Sequence, residues 1–204
     1  MKIIVFGATG GVGQFVVKQG LEAGFEVTAF VRTPAKLAIS HENLTVIQGD
    51  AFNQAEVTAA IAGQDAVVSC LGSSRGMKKS TELQEMTKNI VVGMQEQKVE
   101  RIVYTASAGV HNELTGISGK LMMLLKNTLI DHRVAVEYIK SYKLNYTIVR
   151  PMSLTNHDFT GKYRESATNV PSKSSSIPRA DVAHFILKAL ADSNYVNTSI
   201  VVAT

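Results

Sequence analysis

The feature that most constrains this chain is a glycine-rich turn directly after its first apolar run. Residues 2–6 are apolar after Lys2 and predict a strand, and the next seven residues are Gly7-Ala8-Thr9-Gly10-Gly11-Val12-Gly13. Apolar residues from Phe15 to Leu21 then recur with helical spacing. Glycines let the backbone adopt positive φ and let a ligand approach closely. Because the first N–H groups of a helix are unpaired, they favour a phosphate. The sequence predicts a nucleotide site here, with tight helix–strand packing as the structural alternative.

The glycine spacing favours one kind of nucleotide site over another. Gly7, Gly10 and Gly13 form G-x-x-G-x-x-G, whereas the dinucleotide fingerprint is G-x-G-x-x-G. The match therefore lies in the strand–turn–helix context rather than in the letters. No Gly-Lys-Ser/Thr closes the motif, so a phosphate loop of the nucleotide-hydrolysing type is disfavoured.

The end of the second strand bears on the choice of dinucleotide. The strand Glu26–Val31 runs into Arg32, nineteen residues past Gly13, and Lys36 follows. In dinucleotide folds a carboxylate about 20 residues beyond the glycines selects NAD, whereas an arginine accommodates the 2′-phosphate of NADP. We therefore predict NADP(H) in preference to NAD(H), held by Arg32 and Lys36. The alternative is a solvated basic turn.

The ends of the next two strands supply further cofactor candidates. The strand Leu44–Gln48 runs into Gly49, Asp50 and Ala51, and Asp50 is predicted either to face the adenine or to cap the following helix. The run Asp65–Gly72 is typical of a parallel strand buried on both faces. Leu71 and Gly72, at its end, are predicted beside the nicotinamide half. The basic loop 73–80 then either borders the crevice or is solvated.

Two polar residues in the second half are candidates for chemistry. Ser107 follows the strand Arg101–Thr105, at the sheet edge where ligands bind, and is predicted to donate a hydrogen bond to a substrate carbonyl; the alternative is a turn serine. His132 lies on a helix predicted from Ser118 to Tyr142, with an interruption near Asn127. We favour a helix-surface or packing role for His132 over proton donation.

The remaining sequence completes an alternation of strands and helices. A strand at Leu144–Val149 leads to a polar, serine-rich stretch, predicted to be a small irregular substrate-side lobe at residues 151–178. A helix from Pro178 to about Asp192 and a strand from Thr198 to Ala203 follow. The 204 residues are predicted to form one α/β domain, 1–204, that includes this lobe.

The amino-acid composition limits the classes of partner and the cellular compartment expected for this protein. Cys70 is the single cysteine and the five histidines are scattered, so we expect no disulfide and no metal site. The net charge of +4 is modest and its basic residues are not striped, which argues against nucleic acid. No secretory signal or membrane span is evident, and we expect a cytoplasmic protein whose partner is a small-molecule substrate. The sequence does not indicate an oligomeric state.

Several motifs together resemble one known family, the atypical short-chain dehydrogenases/reductases, in the NAD(P)H-binding branch that includes biliverdin reductase B, or flavin reductase. The motifs that carry the resemblance are residues 7–13, Val31-Arg32, Gly49-Asp50, residues 64–68, residues 105–108, Arg150-Pro151 and residues 179–183. The resemblance implies a Rossmann-like, doubly wound, mostly parallel sheet with helices on both faces and a small C-terminal substrate lobe.

The resemblance also implies site residues. It places the loop Gly7–Gly13 on the diphosphate, Pro151 and Met152 beside the cofactor, and Ser107 beside both nicotinamide and substrate. Ser153 stands where the branch has a histidine, which weakens a proton-donor role at that substrate position. The family's Tyr-x-x-x-Lys is absent, since Tyr138 is followed four residues later by Tyr142.

These inferences lead to two functional hypotheses. The first is an NADPH-dependent reductase that transfers hydride to a conjugated flavin-, quinone- or tetrapyrrole-like acceptor, which can take its proton from water. The alternative is a non-catalytic NADP(H)-binding redox sensor, which would have to bind the oxidised and reduced cofactor differently.

Overall fold

The structure is a computed structural model that describes residues 1–76, 78–114 and 119–204. The strands, in chain order, are β1 (Lys2–Phe6), β2 (Glu26–Val31), β3 (Leu44–Gln48), β4 (Ala66–Ser69), β5 (Arg101–Thr105), β6 (Asn145–Pro151), β7 (Ser153–Thr155), β8 (Arg164–Ser166), β9 (Ser176–Pro178) and β10 (Thr198–Ala203). The α-helices are α1 (Gly13–Glu22), α2 (Gln54–Ile61), α3 (Glu82–Glu96), α4 (Gly119–Ser141) and α5 (Arg179–Ala191). The predicted start of the fourth helix at Ser118 lies outside the described residues, and α4 continues through Asn127 without the predicted interruption.

The main sheet has the order expected of a doubly wound fold. Among the described residues its strand order is β3-β2-β1-β4-β5-β6-β10-β8. All neighbouring pairs are parallel except β10 and β8. Strand order reverses between β1 and β4, and in such sheets ligands bind outside the carboxyl ends of the strands at this switch point. The predicted fold class is confirmed.

Alternation along the buried strands builds a core on each face of the sheet. Ile3 and Val5 pack with the apolar sides of α1 and α5, whereas Ile4 and Phe6 pack with α2, α3 and α4. Successive side chains of a strand point to opposite faces, so a continuous apolar run serves both layers at once. This explains why β1 and β4 carry no polar face.

The glycine turn joins β1 to α1 at the switch point through very close backbone contacts. Gly7 has φ +78°, and a Cβ on it would lie 2.6 Å from the carbonyl oxygen of Cys70, just after β4. A Cβ on Gly13 would lie 2.1 Å from the carbonyl oxygen of Gly7. The N–H of Gly10 donates to that same oxygen over 2.9 Å. Side chains at positions 7 and 13 would therefore push the turn away from both strands.

Residues 151–178, the predicted lobe, contain three short strands. β7 and β9 form a two-stranded parallel sheet, whereas β8 adds an antiparallel edge to the main sheet beside β10. The first turn of α5 anchors the lobe, because both carboxylate oxygens of the buried Asp181 accept hydrogen bonds from Thr160 and one also accepts from the N–H of Gly161. None of the helices within the described residues is long and apolar enough to span a bilayer.

The glycine contacts give a stability prediction with a matched control. Gly63 has φ +73° with no atom near its Cβ position, whereas Gly7 combines φ +78° with the contact to Cys70. Gly63→Ala should lower the free energy of unfolding by about 1–2 kcal/mol through the left-handed backbone alone. Gly7→Ala should lose about 1–3 kcal/mol more through overpacking. Urea unfolding measures both, and equal losses would contradict the close approach at Gly7.

Candidate functional site

A first cleft lies at the switch point, outside the carboxyl ends of β1 to β4. Its volume is about 180 Å³. The residues that line it are Gly7, Thr9, Gly10, Phe30, Val31, Arg32, Gly49, Asp50, Ala51, Phe52, Cys70, Leu71, Gly72, Ser74, Glu82 and Met86. Eight of the residues predicted for the cofactor are therefore brought together: Gly7, Thr9, Gly10, Arg32, Asp50, Ala51, Leu71 and Gly72. They come from four different strand ends.

The glycine loop divides its residues between the cleft and the core. Gly7, Thr9 and Gly10 line the first cleft, whereas the side chains of Ala8 and Val12 are buried against the β1 core. Gly13 begins α1, whose first N–H groups point out of the helix start. A loop without bulky side chains in front of a helix N-terminus fits the diphosphate of a dinucleotide. The residues present therefore suit the predicted group.

The two predicted basic residues have different positions. Arg32 is exposed and lines the first cleft, at the end of β2. Lys36 is exposed at the end of a short 3-10 helix, Pro34–Lys36, and is not among the residues that line the cleft. Of the two, Arg32 is placed to meet a ligand in the cleft.

Asp50 lines the cleft and does not cap the next helix. Its Oδ1 accepts the N–H of Phe52 over 3.1 Å. The cap of α2 is Asn53, whose Oδ1 accepts from the N–H groups of Ala55 and Glu56. The predicted capping alternative for Asp50 is therefore wrong, because the helix begins one turn later and a closer side chain satisfies its amides.

The loop after β4 is tied to the cleft by Glu82. Its carboxylate accepts hydrogen bonds from the hydroxyls of Ser73 and Ser74 and from the N–H of Ser74. These bonds, the Ser74 hydroxyl foremost, lower the pKa of Glu82 below its ordinary value. Ser74 thus borders the crevice, as one of the two predicted alternatives for this loop required. Met77 of the same loop lies outside the described residues.

A second cleft lies beyond β5 and β6. Its volume is about 480 Å³, within the 300–1,000 Å³ range of typical ligand pockets. The described residues that line it are Ala106, Ser107, Ala108, Leu114, Leu125, Thr128, His132, Pro151, Met152, Ser153, Leu154 and Arg179. Four predicted residues, Ser107, Pro151, Met152 and Ser153, thus meet in one cavity.

Ser107 occupies a turn and lines the second cleft at the same time. Its hydroxyl donates to the carbonyl of Ala108 over 3.2 Å, and its own carbonyl accepts the N–H of Val110. The turn and the ligand-facing position were stated as alternatives, and the geometry accommodates both. The hydroxyl oxygen retains acceptor capacity for a ligand.

His132 is buried, as the packing role predicted, and it also lines the second cleft. Its Nδ1 lies 2.9 Å from the hydroxyl of Tyr104 on β5. Burial lowers the pKa of His132 to about 4 and raises the pKa of the Tyr104 phenol, so both groups are neutral near pH 7. When the phenol donates to Nδ1, the ring proton resides on Nε2. The sequence carried no signal for this contact, because 28 residues separate the partners.

Arg179 is a second residue without a predicted role. It begins α5, and its Nη1 donates to Oδ1 of Asn156 in the lobe over 2.7 Å. A Cβ on Gly11 would lie 2.6 Å from Nε of Arg179, so the guanidinium rests against the glycine loop. The glycine loop therefore separates the clefts, with Gly10 in the first and the Arg179 contact of Gly11 facing the second.

The cysteine thiol and the potential metal ligands show no sign of a further reactive site among the described residues. Burial raises the pKa of the Cys70 thiol to about 12, which keeps it protonated and a poor nucleophile. Within the described ranges, no three His, Cys, Asp or Glu side chains are grouped as a metal site.

Fold and site together define a Rossmann-type dinucleotide-binding protein. A sequence profile described as NAD(P)H-binding matches residues 7–193, and the chain belongs to this family. This confirms the predicted NAD(P)H-binding kinship.

Known proteins with similarity to the chain include uncharacterised and enzymatic ones. An uncharacterised chloroplastic protein of Arabidopsis thaliana is 33% identical over 172 residues, covering 78% of this chain and 61% of that protein. Quinone oxidoreductase 2 of Escherichia coli K12 is 23% identical, covering 95% of this chain and 65% of that protein. The chain thus spans less than two thirds of either relative.

A solved structure extends the fold similarity over nearly the whole chain. The anaerobilin reductase of Escherichia coli O157:H7 superposes with a TM-score of 0.82 at 22% identity. The superposition covers 98% of this chain and 97% of that one. At this identity the likeness establishes the fold.

The buried histidine gives a pH prediction. The unfolded chain protonates His132 near pH 6.5, whereas the folded chain does so only near 4. Above pH 6.5 His132 is neutral in both states, and the free energy of unfolding has its full value. As the pH falls from 6.5 towards 4, protons bind the unfolded chain first, and the free energy of unfolding decreases by about 3 kcal/mol. His132→Asn should flatten the fall between pH 7 and pH 5 in urea unfolding, whereas His41→Asn, at an exposed site, should not. Equal pH dependence in all three proteins would contradict the buried neutral imidazole.

Proposed function

We propose that this protein is an NADPH-dependent reductase, of the atypical short-chain dehydrogenase/reductase type, for a conjugated flavin-, quinone- or tetrapyrrole-like acceptor. The observation that carries the proposal is the second cleft, in which Ser107 and His132 stand among mainly apolar side chains across the glycine loop from the first cleft. Two adjoining clefts suit a dinucleotide that extends from one into the other and an acceptor placed over its reactive end. The names of the quinone oxidoreductase and the anaerobilin reductase lend support.

The bound cofactor supplies a hydride, so that NADPH, a proton and the acceptor become NADP⁺ and the reduced acceptor. The protein's part is to position the two molecules and exclude competing water. We assign the diphosphate to the glycine loop, the 2′-phosphate to Arg32, and the adenosine side to Asp50 and Ala51. Leu71, Gly72, Pro151 and Met152 border the nicotinamide end.

Ser107 and His132 are assigned to the acceptor. Both hydrogen-bond while uncharged, which suits a carbonyl or ring nitrogen of a conjugated ring. When the Tyr104 hydroxyl donates to Nδ1, a neutral His132 carries an Nε2 proton that would orient the acceptor. Ser153 is an exposed residue of the same cleft. The acceptor's proton comes from water, because Tyr-x-x-x-Lys is absent. A reducing cytoplasm would suit the single unpaired cysteine.

Steady-state oxidation of NADPH, followed at 340 nm with FMN, biliverdin and quinones in turn, tests the proposal. Turnover with at least one acceptor is expected, and Ser107→Ala should reduce it by about 10- to 100-fold through the loss of one acceptor hydrogen bond. The exposed Ser193→Ala serves as control. No turnover with any acceptor would contradict the reductase hypothesis. Tight NADP(H) binding without turnover would favour the redox-sensor hypothesis.

The cofactor preference has its own test. Arg32→Ala should weaken NADPH binding by about 10- to 100-fold, since a charge-assisted bond to the 2′-phosphate is lost, and leave NADH binding unchanged. Lys36→Ala is the matched control, because it removes a like charge outside the cleft and should have little effect. Isothermal titration of NADPH and NADH into the wild-type protein and both variants measures the six affinities. Equal losses for NADPH and NADH in the Arg32 variant would refute the phosphate role.

A further inference from the structure

The second cleft carries one unbalanced charge. Of its described lining residues, Arg179 is the one with a permanent charge, and no Asp or Glu accompanies it. His132 is neutral near pH 7 because burial lowers its pKa to about 4. The other side chains are apolar or hydroxyl-bearing. A ligand that fills this cleft therefore meets apolar walls and a single cation.

Arg179 has no carboxylate partner among the described residues. No Asp or Glu oxygen there lies within ion-pair distance of its guanidinium, whereas Arg75 and Arg150 each have such a partner. The closest acid in sequence, Asp181, directs both oxygens to Thr160 and Gly161 instead. Arg179 bonds to a neutral amide, Asn156, through Nη1. Since a guanidinium has five N–H donors, most of its capacity to bind an anion remains.

The guanidinium is also held in place. It is half-buried between Asn156 in the lobe and Gly11 of the glycine loop, and it begins a 13-residue helix. A fixed, planar, partly desolvated guanidinium binds carboxylate or phosphate better than a mobile surface lysine does. A Cβ at residue 11 would lie 2.6 Å from Nε of Arg179, so a larger residue there would displace the guanidinium from this position.

We infer that the acceptor reduced at this site is itself an anion, a conjugated ring that bears a carboxylate or a phosphate, and that Arg179 selects it by binding that group. The inference rests on the proposed reductase function and specifies its substrate class. The ring lies against the apolar walls beside Ser107 and His132, and the anionic group reaches Arg179 at the mouth formed with the lobe.

Paired acceptors that differ only in charge test this assignment. FMN and riboflavin share one ring but differ by a phosphate, and a naphthoquinone with a carboxylate side chain pairs with its methyl ester. Wild-type protein should show a lower KM for the anion of at least one pair, and the pair that shows it identifies phosphate or carboxylate as the preferred group. Flavin fluorescence quenching, with NADP⁺ present, gives the corresponding binding constants for FMN and riboflavin without turnover.

Variants at Arg179 complete the experiment. Arg179→Gln should raise the KM of the preferred anion by about 10- to 100-fold while the KM of its neutral counterpart and of NADPH stay unchanged. Arg179→Lys should retain part of the preference. Lys162→Gln, which removes an exposed charge from the lobe outside both clefts, should retain all of it. Thermal unfolding of each variant detects a folding defect, which would raise the KM values of neutral and anionic acceptors alike.

The outcomes separate this inference from the proposed function. Reduction of neutral and anionic acceptors with equal KM would overturn the role of Arg179 and leave the reductase standing. A KM increase for NADPH instead of the acceptor would assign Arg179 to the cofactor diphosphate and likewise overturn it. Absence of turnover with every acceptor would refute the reductase function, and the inference of an anionic acceptor would fall with it.

Discussion

The structure depends on the approach of two backbones at the point where the strand order reverses. Gly7 leaves β1 with a positive φ against the carbonyl of Cys70, and Gly13 begins α1 against the carbonyl of Gly7. These contacts bring the start of α1 directly above the carboxyl ends of β1 and β4. Gly7 and Gly10 line the crevice in front of the helix N-terminus without side chains, which suits a diphosphate. The first cleft is thus a consequence of the same packing that joins helix to sheet.

The glycine loop also organises the second cleft, through Arg179. Two residues in the first turn of α5 make the relevant contacts. Arg179 lies between Gly11 and Asn156, and Asp181 accepts hydrogen bonds from residues 160 and 161. One helical turn therefore links the loop to the lobe. The lobe, in turn, closes the side of a cavity that contains Ser107 and His132.

Local pattern was sufficient for the parts of the fold that depend on local chemistry. The strands at residues 44–48 and 198–203 match their predicted bounds, because a short apolar run between turn residues has few alternatives. The glycine turn was identifiable from its strand–turn–helix context, and Arg32 from its place at a strand end nineteen residues past Gly13. The continuity of α4 was missed, because Asn127 is a poor helix former and packing against α3 overrides that preference.

The positions of His132 and Arg179 in the second cleft could not be predicted from local sequence pattern. A histidine on a helix is a surface, packing or site residue depending on what it meets, and Tyr104 meets it from a different strand. Arg179 was visible as part of a motif, but its contacts with Gly11 and Asn156 join segments that lie far apart in the chain. Lys36 differs from Arg32, because it follows the same strand but is not among the residues that line the cleft. Such long-range juxtapositions are products of topology rather than of local sequence.

The central claim, that the glycine loop holds a dinucleotide which extends between the two clefts, is tested most directly by a crystal structure of the complex with NADP⁺. The account predicts diphosphate oxygens within hydrogen-bond distance of backbone N–H groups in residues 7–13. It also predicts the 2′-phosphate at Arg32 and the nicotinamide ring next to Ser107. A dinucleotide bound elsewhere, for example in the groove between α1 and α5 lined by Phe15 and Phe159, would contradict it.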